Sequence, residues 1–576
     1  MEIAAQDPTT ISYTGFIISL IVIVSLYHYY INVYNYFRRR GVRGPVPYPL
    51  VGNLPTILLN DRMKLEREWT KRYGKFYGVF FGTRASFIVN DAEVLREICL
   101  ENFDAMPNHD ATDELMMSDY QKDFLMSAQD DHWKRLRALQ SATLTSEKIK
   151  RLFRLIDECT NDLVVCFSGY LDKGKQQLTE TIVNLNEIYS QYTMDAITNA
   201  ACAIKLDLCC KSKIVGGFKV TSYNSLTVTL VKLFNIPRLF VLFALPKWLL
   251  KKIGFDRCPI LHYQELDTRF RPIVRQRMES GRKSDDYLQI LVDARLDDQI
   301  ELNELDAKEN HHAALSEARL NADKEQMINE TVSLSSSSRQ TNGNKSDDID
   351  GTVIYQLVTK ARLTEDEIVS SAIFLLSAGV ETTAALLTNC TYALAFHQDI
   401  QQRLYEVIKS IAHIDKETGE HSFDYDKLTS CEYLDAVISE TLRMLTPVIH
   451  HDRVVSRDYY VKRYNVQLRK GDTLQLAYYS IMNNPDYWPE PLKFYPERFM
   501  GDNKKRIVPG SYCPFGLGPR HCLGMRFSLT EAKLALAKAL MKFKFKHAPG
   551  TSFPPECDPS ISLNNLKNPR VELVSR

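Results

Sequence analysis

Neither sign of charge prevails in this chain. Lys and Arg number 72 against 71 Asp and Glu, a net +1 over 576 residues. No global field draws it to a polyanion, so no nucleic-acid partner is expected. Cysteine is sparse: 12 residues in this length are too few for a disulfide scaffold. No two of them stand as C-x-x-C, which argues against a structural zinc site. The closest group, Cys202, Cys209 and Cys210, reads as packed thiols among small or apolar neighbours. No G-x-G-x-x-G opens a βαβ unit, so a dinucleotide domain is not indicated. Apolar residues are not lacking. At 44% apolar and 25% charged the composition suits a full globular core and excludes bulk disorder or a fibre. Length alone allows three or four domains of about 150 residues, or one large fold.

A different absence marks the N-terminus. From Ile11 to Phe37 there is no Asp, Glu, Lys or Arg. A membrane helix needs about 20 mostly apolar residues, and Phe16 to Val24 forms the centre of such a run. Tyr27, Tyr29, Tyr30, Tyr34 and Tyr36 crowd its far end, where amphipathic rings suit the headgroup zone. Arg38, Arg39 and Arg40 follow, and positive residues stay cytoplasmic. The segment lacks the basic start and small-residue cleavage site of a signal peptide. The expected organisation is a short lumenal segment (1–10), a transmembrane anchor (11–37) and a basic, Pro-rich hinge (38–56). The main domain (57–576) follows on the cytoplasmic side.

Within that domain short β-like runs alternate with long helical patterns. Lys75–Phe81 and Ala85–Asn90 read as a hairpin turning at Gly82-Thr83-Arg84. From about Asp131 to Ala200 the apolar spacing is helical. Leu226 to Leu250 is unusually apolar but broken by Pro237 and Pro246, as suits buried core, a membrane-dipping surface or a pocket lid. Residues 297–351 are polar and Ser/Asn-rich and read as a disordered insertion. The Asn-x-Ser/Thr triplets at Asn329 and Asn344 fall in it, as chance matches on the cytoplasmic side.

Two places carry chemistry. Thr364-Glu365-Asp366-Glu367 fits a capping box, and the helix it opens extends to Phe396. Ala378-Gly379-Val380-Glu381-Thr382 interrupts its apolar run. Gly inside a helix costs about 1 kcal/mol against Ala. The bland reading is a tolerated glycine with Thr hydroxyls bonded back to carbonyls. The functional one is an opening where a ligand nears the backbone, with an acid and a hydroxyl to relay protons. Near the C-terminus, Phe515-Gly516-Leu517-Gly518-Pro519-Arg520-His521-Cys522-Leu523-Gly524 presents one Cys on a tight loop before a helical pattern. A helix start and a nearby Arg favour thiolate, a good soft-metal ligand.

Together these residues resemble the cytochrome P-450 monooxygenases. Phe515, Gly518, Arg520, Cys522 and Gly524 match that family's haem-ligand signature F-x-x-G-x-R-x-C-x-G. Ala378 to Thr382 resembles its oxygen-activation motif, Glu440-Thr441-Leu442-Arg443 its E-x-x-R motif, Pro496-Glu497-Arg498-Phe499 its P-E-R-F motif, and Trp133 to Arg137 its W-x-x-x-R motif. The order is the family's, and the chain looks most like the microsomal clan that oxidises steroids and xenobiotics.

The resemblance implies a mainly α fold with a smaller β region on an N-terminal transmembrane helix. It implies haem b with Cys522 as axial thiolate and metal ligand. Trp133, Arg137, Arg453 and Arg520 would hold the propionates, and Phe515 would pack near the sulfur. Glu381 and Thr382 would stabilise dioxygen and deliver protons. Glu440, Arg443 and Arg498 would form a buried structural network. The expected reaction inserts one oxygen atom of dioxygen into an apolar small molecule such as a steroid, lipid or xenobiotic. Electrons would come from a separate NADPH–cytochrome reductase at the endoplasmic reticulum membrane, drawn by Lys134, Arg135, Lys504, Lys505, Arg506, Arg526 and Lys533. The pocket is expected around Met106 to Met117, Leu226 to Leu250, Leu375 and Ala378, Thr446 to Ile449, and Ile561 to Leu563. Two other readings stand beside this one: a thiolate-haem isomerase or dehydratase working without reductase, and a non-catalytic haem- or lipid-binding membrane protein.

Overall fold

The structure is a computed structural model. It describes residues 8–110, 122–141, 143–177, 181–208, 260–280, 286–296, 363–415, 420–558 and 563–576, with residues 214–215, 218–219, 248 and 252. The insertion 297–351 and nearly all of Leu226 to Leu250 lie outside the described residues, as do 111–117 and 561–562.

Helices dominate. Before the first strand come α1 (Pro8–Tyr34), α2 (Leu54–Leu59) and α3 (Arg62–Tyr73), then β1 (Phe76–Phe81), β2 (Arg84–Val89) and α4 (Ala92–Arg96). There follow α5 (Asp130–Ser141), α6 (Ser146–Gln177), β3 (Ile182–Asn184) and α7 (Leu185–Cys202), then the short pair β4 (Ile214–Val215) and β5 (Phe218–Lys219). Next are α8 (Ile260–Ser280), α9 (Tyr287–Leu296), α10 (Glu365–Phe396), α11 (Gln398–Ile411), β6 (His413–Ile414), β7 (His421–Ser422), α12 (Tyr425–Thr429) and α13 (Glu432–Met444). The last part holds β8 (His451–Val454), β9 (Tyr459–Val461), β10 (Val466–Leu468), β11 (Thr473–Leu476), α14 (Tyr478–Met482), α15 (Gly501–Lys504), α16 (Met525–Lys542), β12 (Phe543–His547) and β13 (Arg570–Ser575).

The helical part is held by stripes of apolar residues at helical spacing. On α6 the buried residues Ile149, Leu152, Ile156, Leu163 and Phe167 recur three, four or seven apart and face α7 and α16. The central helix α10 starts where its sequence says: Thr364 accepts from the Glu367 backbone, and the Glu367 carboxylate accepts from the Thr364 backbone. It packs on α7, α8, α13, α16 and β12, so it crosses the core with neighbours along its length. It is apolar enough to span a membrane, but its burial identifies it as a core helix.

The β region is smaller. One sheet runs in the order β1-β2-β11-β8. The hairpin β1–β2 pairs Phe76 with Val89, and β11 joins β2 in parallel and β8 antiparallel, setting Leu474 opposite Arg453. That register delivers Arg453 to the site. A second sheet, β12-β13-β3, caps the far end of α10.

The N-terminal apolar helix meets the domain at its C-terminal end. α1 ends at Tyr34, and Phe37 is buried against Phe80 and Phe87 of the sheet. Arg38–Arg40 form a helical turn, and Val42, Gly52, Asn53 and Leu54 are buried.

Candidate haem-thiolate site

The loop before α16 is shaped by its glycines. Gly516 and Gly518 have φ of 82° and 73°, which favour glycine. A Cβ on Gly518 would lie 2.0 Å from the Cys99 carbonyl oxygen, so only glycine lets the loop rest on that backbone. The Cys522 amide then donates to the Phe515 carbonyl at 2.8 Å, folding the loop back on itself. Phe515 is partly buried against the main core. Among the described cysteines Cys522 alone is exposed; Cys166 is half-buried and the others are buried. Burial pushes the Cys99 thiol up to about 11 and Cys390 up to about 12, making them inert packing groups. Cys522 instead precedes the helix N-cap Gly524 and has Arg137 as an electrostatic neighbour.

Three guanidiniums converge beside this loop. Arg137 donates to the His521 carbonyl at 2.8 Å, and burial pushes it down to about 10. Arg453 is 1% exposed, donates to the Asp452 carbonyl at 2.8 Å, and keeps its Nε buried without a partner. Arg520 is pushed down to about 9 by burial, then by Arg453 and Arg137. Its guanidinium lies 4.1 Å over the Trp133 ring. It also donates to the carbonyls of Pro107 (2.8 Å), Leu125 (3.1 Å) and Ala128 (2.9 Å) and to Asn108 Oδ1 (3.2 Å). Arg520 thus pins two neighbouring loops as well as lying in the cluster. Buried, mutually repelling cations with an orphaned N–H suit an anionic ligand such as a pair of carboxylates. The residues present therefore fit haem: a thiol on an exposed loop beside a cationic cradle.

His109 and Asp452 were not legible in the sequence. His109 Nδ1 lies 3.0 Å from Asp452 Oδ1 and 3.1 Å from Arg453 Nη1. Burial and then Arg453 lower the His109 pKa, so this histidine adds no further charge to the cradle at neutral pH. The only signal was position: Asp452 directly precedes the Arg on a short strand.

On α10 the otherwise buried helix opens at Ala378, which is exposed, and at the half-buried Phe374, Leu375, Glu381 and Thr382. These residues share one face at helical spacing. Burial pushes the Glu381 carboxyl up to about 7. Thr382 Oγ1 donates to the Ala378 carbonyl at 2.8 Å, so the back-bonding that the bland reading expected is present. Gly379 departs from the functional reading. A Cβ there would meet Ile197 Cδ1 at 2.8 Å, so this glycine admits α7. Thr193 of α7 also donates to the Val380 carbonyl at 3.1 Å.

The structural network is present in full. Glu440 and Arg443 are both 0% exposed, joined at 2.7 and 2.9 Å, and Arg498 reaches Glu440 at 3.3 Å. Of the pocket segments, Thr446–Ile449 and Leu563 meet through a Val448–Leu563 bridge. The basic surface is thinner than expected. Lys533 is buried on Asp435 at 2.5 Å, and Arg135 is held by the Glu367 carboxylate. Lys134, Lys505 and Arg506 remain exposed.

A protein with one exposed loop thiol at a helix start, a guanidinium cradle and an opened central helix belongs with the haem-thiolate oxygenases. The cytochrome P450 family profile matches residues 42–322 and 310–572, and the chain is a member of that family. It is 30% identical to cytochrome P450 3A6 of Oryctolagus cuniculus over 559 residues, 96% of this chain and 95% of that one. It is 28% identical to cytochrome P450 3A5 of Homo sapiens over 561 residues, 96% of this chain and 95% of the relative. Cytochrome P450 3A41 of Mus musculus is 27% identical over 574 residues, 98% and 97% of the two chains. The protein is a haem b monooxygenase, an oxidoreductase that uses dioxygen, a small-molecule substrate and a redox partner.

Proposed function

We propose that this chain is a membrane-anchored monooxygenase of apolar molecules, such as steroids, lipids or xenobiotics, with Cys522 as the axial thiolate. What supports the reading is the pairing of Cys522, exposed on its loop, with the buried cradle of Arg137, Arg453 and Arg520. When bound, haem b supplies the iron centre at which dioxygen is activated. Arg453, whose buried Nε has no partner, and Arg137 would hold the propionates, and Arg520 over Trp133 would close the cradle. The Phe515 carbonyl accepts from the Cys522 amide at 2.8 Å, and its ring would pack beside the sulfur. The half-buried Phe374 and Leu375 and the exposed Ala378 offer substrate an apolar wall.

Glu381 is the proton reservoir. Its carboxyl sits at about 7, above its ordinary 4.5, so it is protonated below neutrality and ionised above it. Product formed per NADPH is expected to fall as pH rises through about 7, as the donor loses its proton. Glu381→Gln cannot titrate, so its profile should lack that limb. An identical limb in the variant would assign the pH dependence to another group. A proton-delivering acid and hydroxyl favour the monooxygenase over the dehydratase, which has no dioxygen to protonate.

Electrons come from a membrane-bound NADPH–cytochrome reductase at the endoplasmic reticulum, with α1 as a single-pass anchor and the catalytic domain in the cytoplasm. The exposed Lys134, Lys505 and Arg506 would attract this donor. Reversing all three to Glu should slow reductase-driven turnover about tenfold at low salt and shrink its salt dependence. Turnover driven by an added peroxide should persist. Equal loss by both routes would assign these residues to the fold.

A further inference from the structure

Three metal-binding side chains from separate elements meet beside the start of α10. Asp123 lies in the turns before α5, His132 in the first turn of α5, and Glu367 in the first turn of α10. His132 Nε2 lies 3.0 Å from Asp123 Oδ1. One ligand atom from each of the three residues lies within 4.8 Å of the other two. None of the three belongs to the haem cradle or to the proton path on α10. The Asp123 side chain is 12% exposed, Glu367 6% and His132 37%. Two carboxylates are therefore withdrawn from water behind an imidazole that reaches the surface.

Their charges do not balance. Arg135 meets the Glu367 carboxylate, reaching Oε2 at 3.3 Å, and the Thr364 amide donates to the same oxygen at 2.8 Å. Lys134 is engaged by Asp131 at 3.2 Å. With His132 neutral, two carboxylates face one guanidinium, and a divalent cation supplies the missing charge. The donor set narrows the choice of ion. Zinc takes imidazole nitrogen and carboxylate oxygen at about 2.0–2.2 Å and leaves a fourth position for water. Mg²⁺ and Ca²⁺ favour oxygen donors alone. Ligand atoms around a tetrahedral zinc lie about 3.4 Å apart, so a span of at most 4.8 Å closes by small side-chain rotations.

We propose that Asp123, His132 and Glu367 form a zinc site that staples α5 and the turns before it to the start of α10. Zinc takes a Glu367 oxygen that Arg135 holds in its absence, and Arg135, 28% exposed, turns out to solvent. Metal and guanidinium thus exchange at one carboxylate. Two of the three stapled elements also carry the cradle. The turns that hold Asp123 continue to Leu125 and Ala128, whose carbonyls accept from Arg520 at 3.1 and 2.9 Å. His132 directly precedes Trp133, and α5 also presents Arg137. Gln140 of α5 already donates to Ser371 of α10 at 2.9 Å, one turn beyond Glu367. Bound zinc therefore adds a second tie between these helices and stiffens the cradle.

Calorimetric titration of the full haem-loaded chain in detergent micelles with zinc alone tests the site. The parent should bind one equivalent that a roughly hundredfold excess of Mg²⁺ does not displace. His132→Gln and Asp123→Asn should each weaken that binding by at least about tenfold, since even an outer-shell partner is worth this much. Arg135→Gln removes the competitor and should tighten binding by about fivefold. Zinc should raise the thermal midpoint of the parent and leave that of His132→Gln where it was. The zinc K-edge spectrum of the parent should show nitrogen and oxygen ligands without sulfur, and it decides the matter even where a variant is unstable. Unchanged binding in both His132→Gln and Asp123→Asn, or sulfur in the ligand shell, would place the ion at another His or Cys and overturn the site. A parent that binds no saturable equivalent would overturn it equally. Weaker binding in Arg135→Gln would contradict the exchange at Glu367.

Discussion

Glu440→Ala is expected to yield a chain that no longer folds stably or retains haem. Glu440 and Arg443 are both 0% exposed. The Glu440 carboxylate accepts from Arg443 Nε at 2.7 Å and Nη2 at 2.9 Å, from Arg498 at 3.3 Å, and from the Tyr495 amide at 3.0 Å. Removing it leaves the Arg443 charge buried with only neutral acceptors, the carbonyls of Met482 (3.0 Å) and Pro491 (2.8 Å) and Asn483 Oδ1 (3.5 Å). Breaking a buried pair from one side costs about 3–5 kcal/mol, against a total domain stability of about 5–15 kcal/mol. Glu440→Gln keeps the shape and an acceptor and should be milder. Thermal unfolding and haem content of the two variants check this. An Ala variant as stable as the parent would reduce the network to an incidental ion pair.

Thr382→Ala carries the second large effect, on catalysis and not on folding. Its hydroxyl proton is engaged by the Ala378 carbonyl at 2.8 Å, which fixes the rotamer and leaves the oxygen lone pairs to accept. Beside it Glu381 holds a proton up to about pH 7. In the proposed mechanism the pair would pass a proton along the open face of α10. Losing a positioned proton-transfer group typically costs about 10²–10⁴-fold, so product should fall by that order while NADPH is still consumed. The reduced oxygen should appear as hydrogen peroxide. Thr382→Ser keeps the hydroxyl and should retain most coupling. Product, peroxide and NADPH measured in one reaction decide the matter. Unchanged product per NADPH in the Ala variant would leave Thr382 a helix hydroxyl and nothing more.

What the sequence disclosed and what it hid divide along one physical line. Features set by neighbours in the chain were legible. The Thr364–Glu367 capping box, the β1–β2 hairpin and the Glu440–Arg443 spacing all depend on residues a few positions apart, and all are present. Features set by distant contacts were not. Gly379 looked like an opening for a ligand, but Ile197 of α7 is what its missing Cβ admits. Lys533 looked like surface charge, yet Asp435 of another helix buries it. Phe37 looked like the end of a membrane helix, and the notch at Gly78 on β1 captures it. His109 carried no pattern, because its contact with Asp452 spans hundreds of residues. The signature around Cys522 was legible because its glycines constrain the loop locally. Even there, the reason for Gly518 is the remote Cys99 carbonyl.

Every other role at the site depends on Cys522 as the haem ligand, and the carbon monoxide spectrum of the reduced protein tests that assignment most directly. The parent chain should show the Soret band characteristic of thiolate-bound haem. Cys522→Ser should lose that band, because a hydroxyl cannot serve as the soft thiolate donor. A Cys522→Ser protein that keeps the thiolate band would contradict the assignment, and with it the roles given to Phe515, Arg137, Arg453 and Arg520.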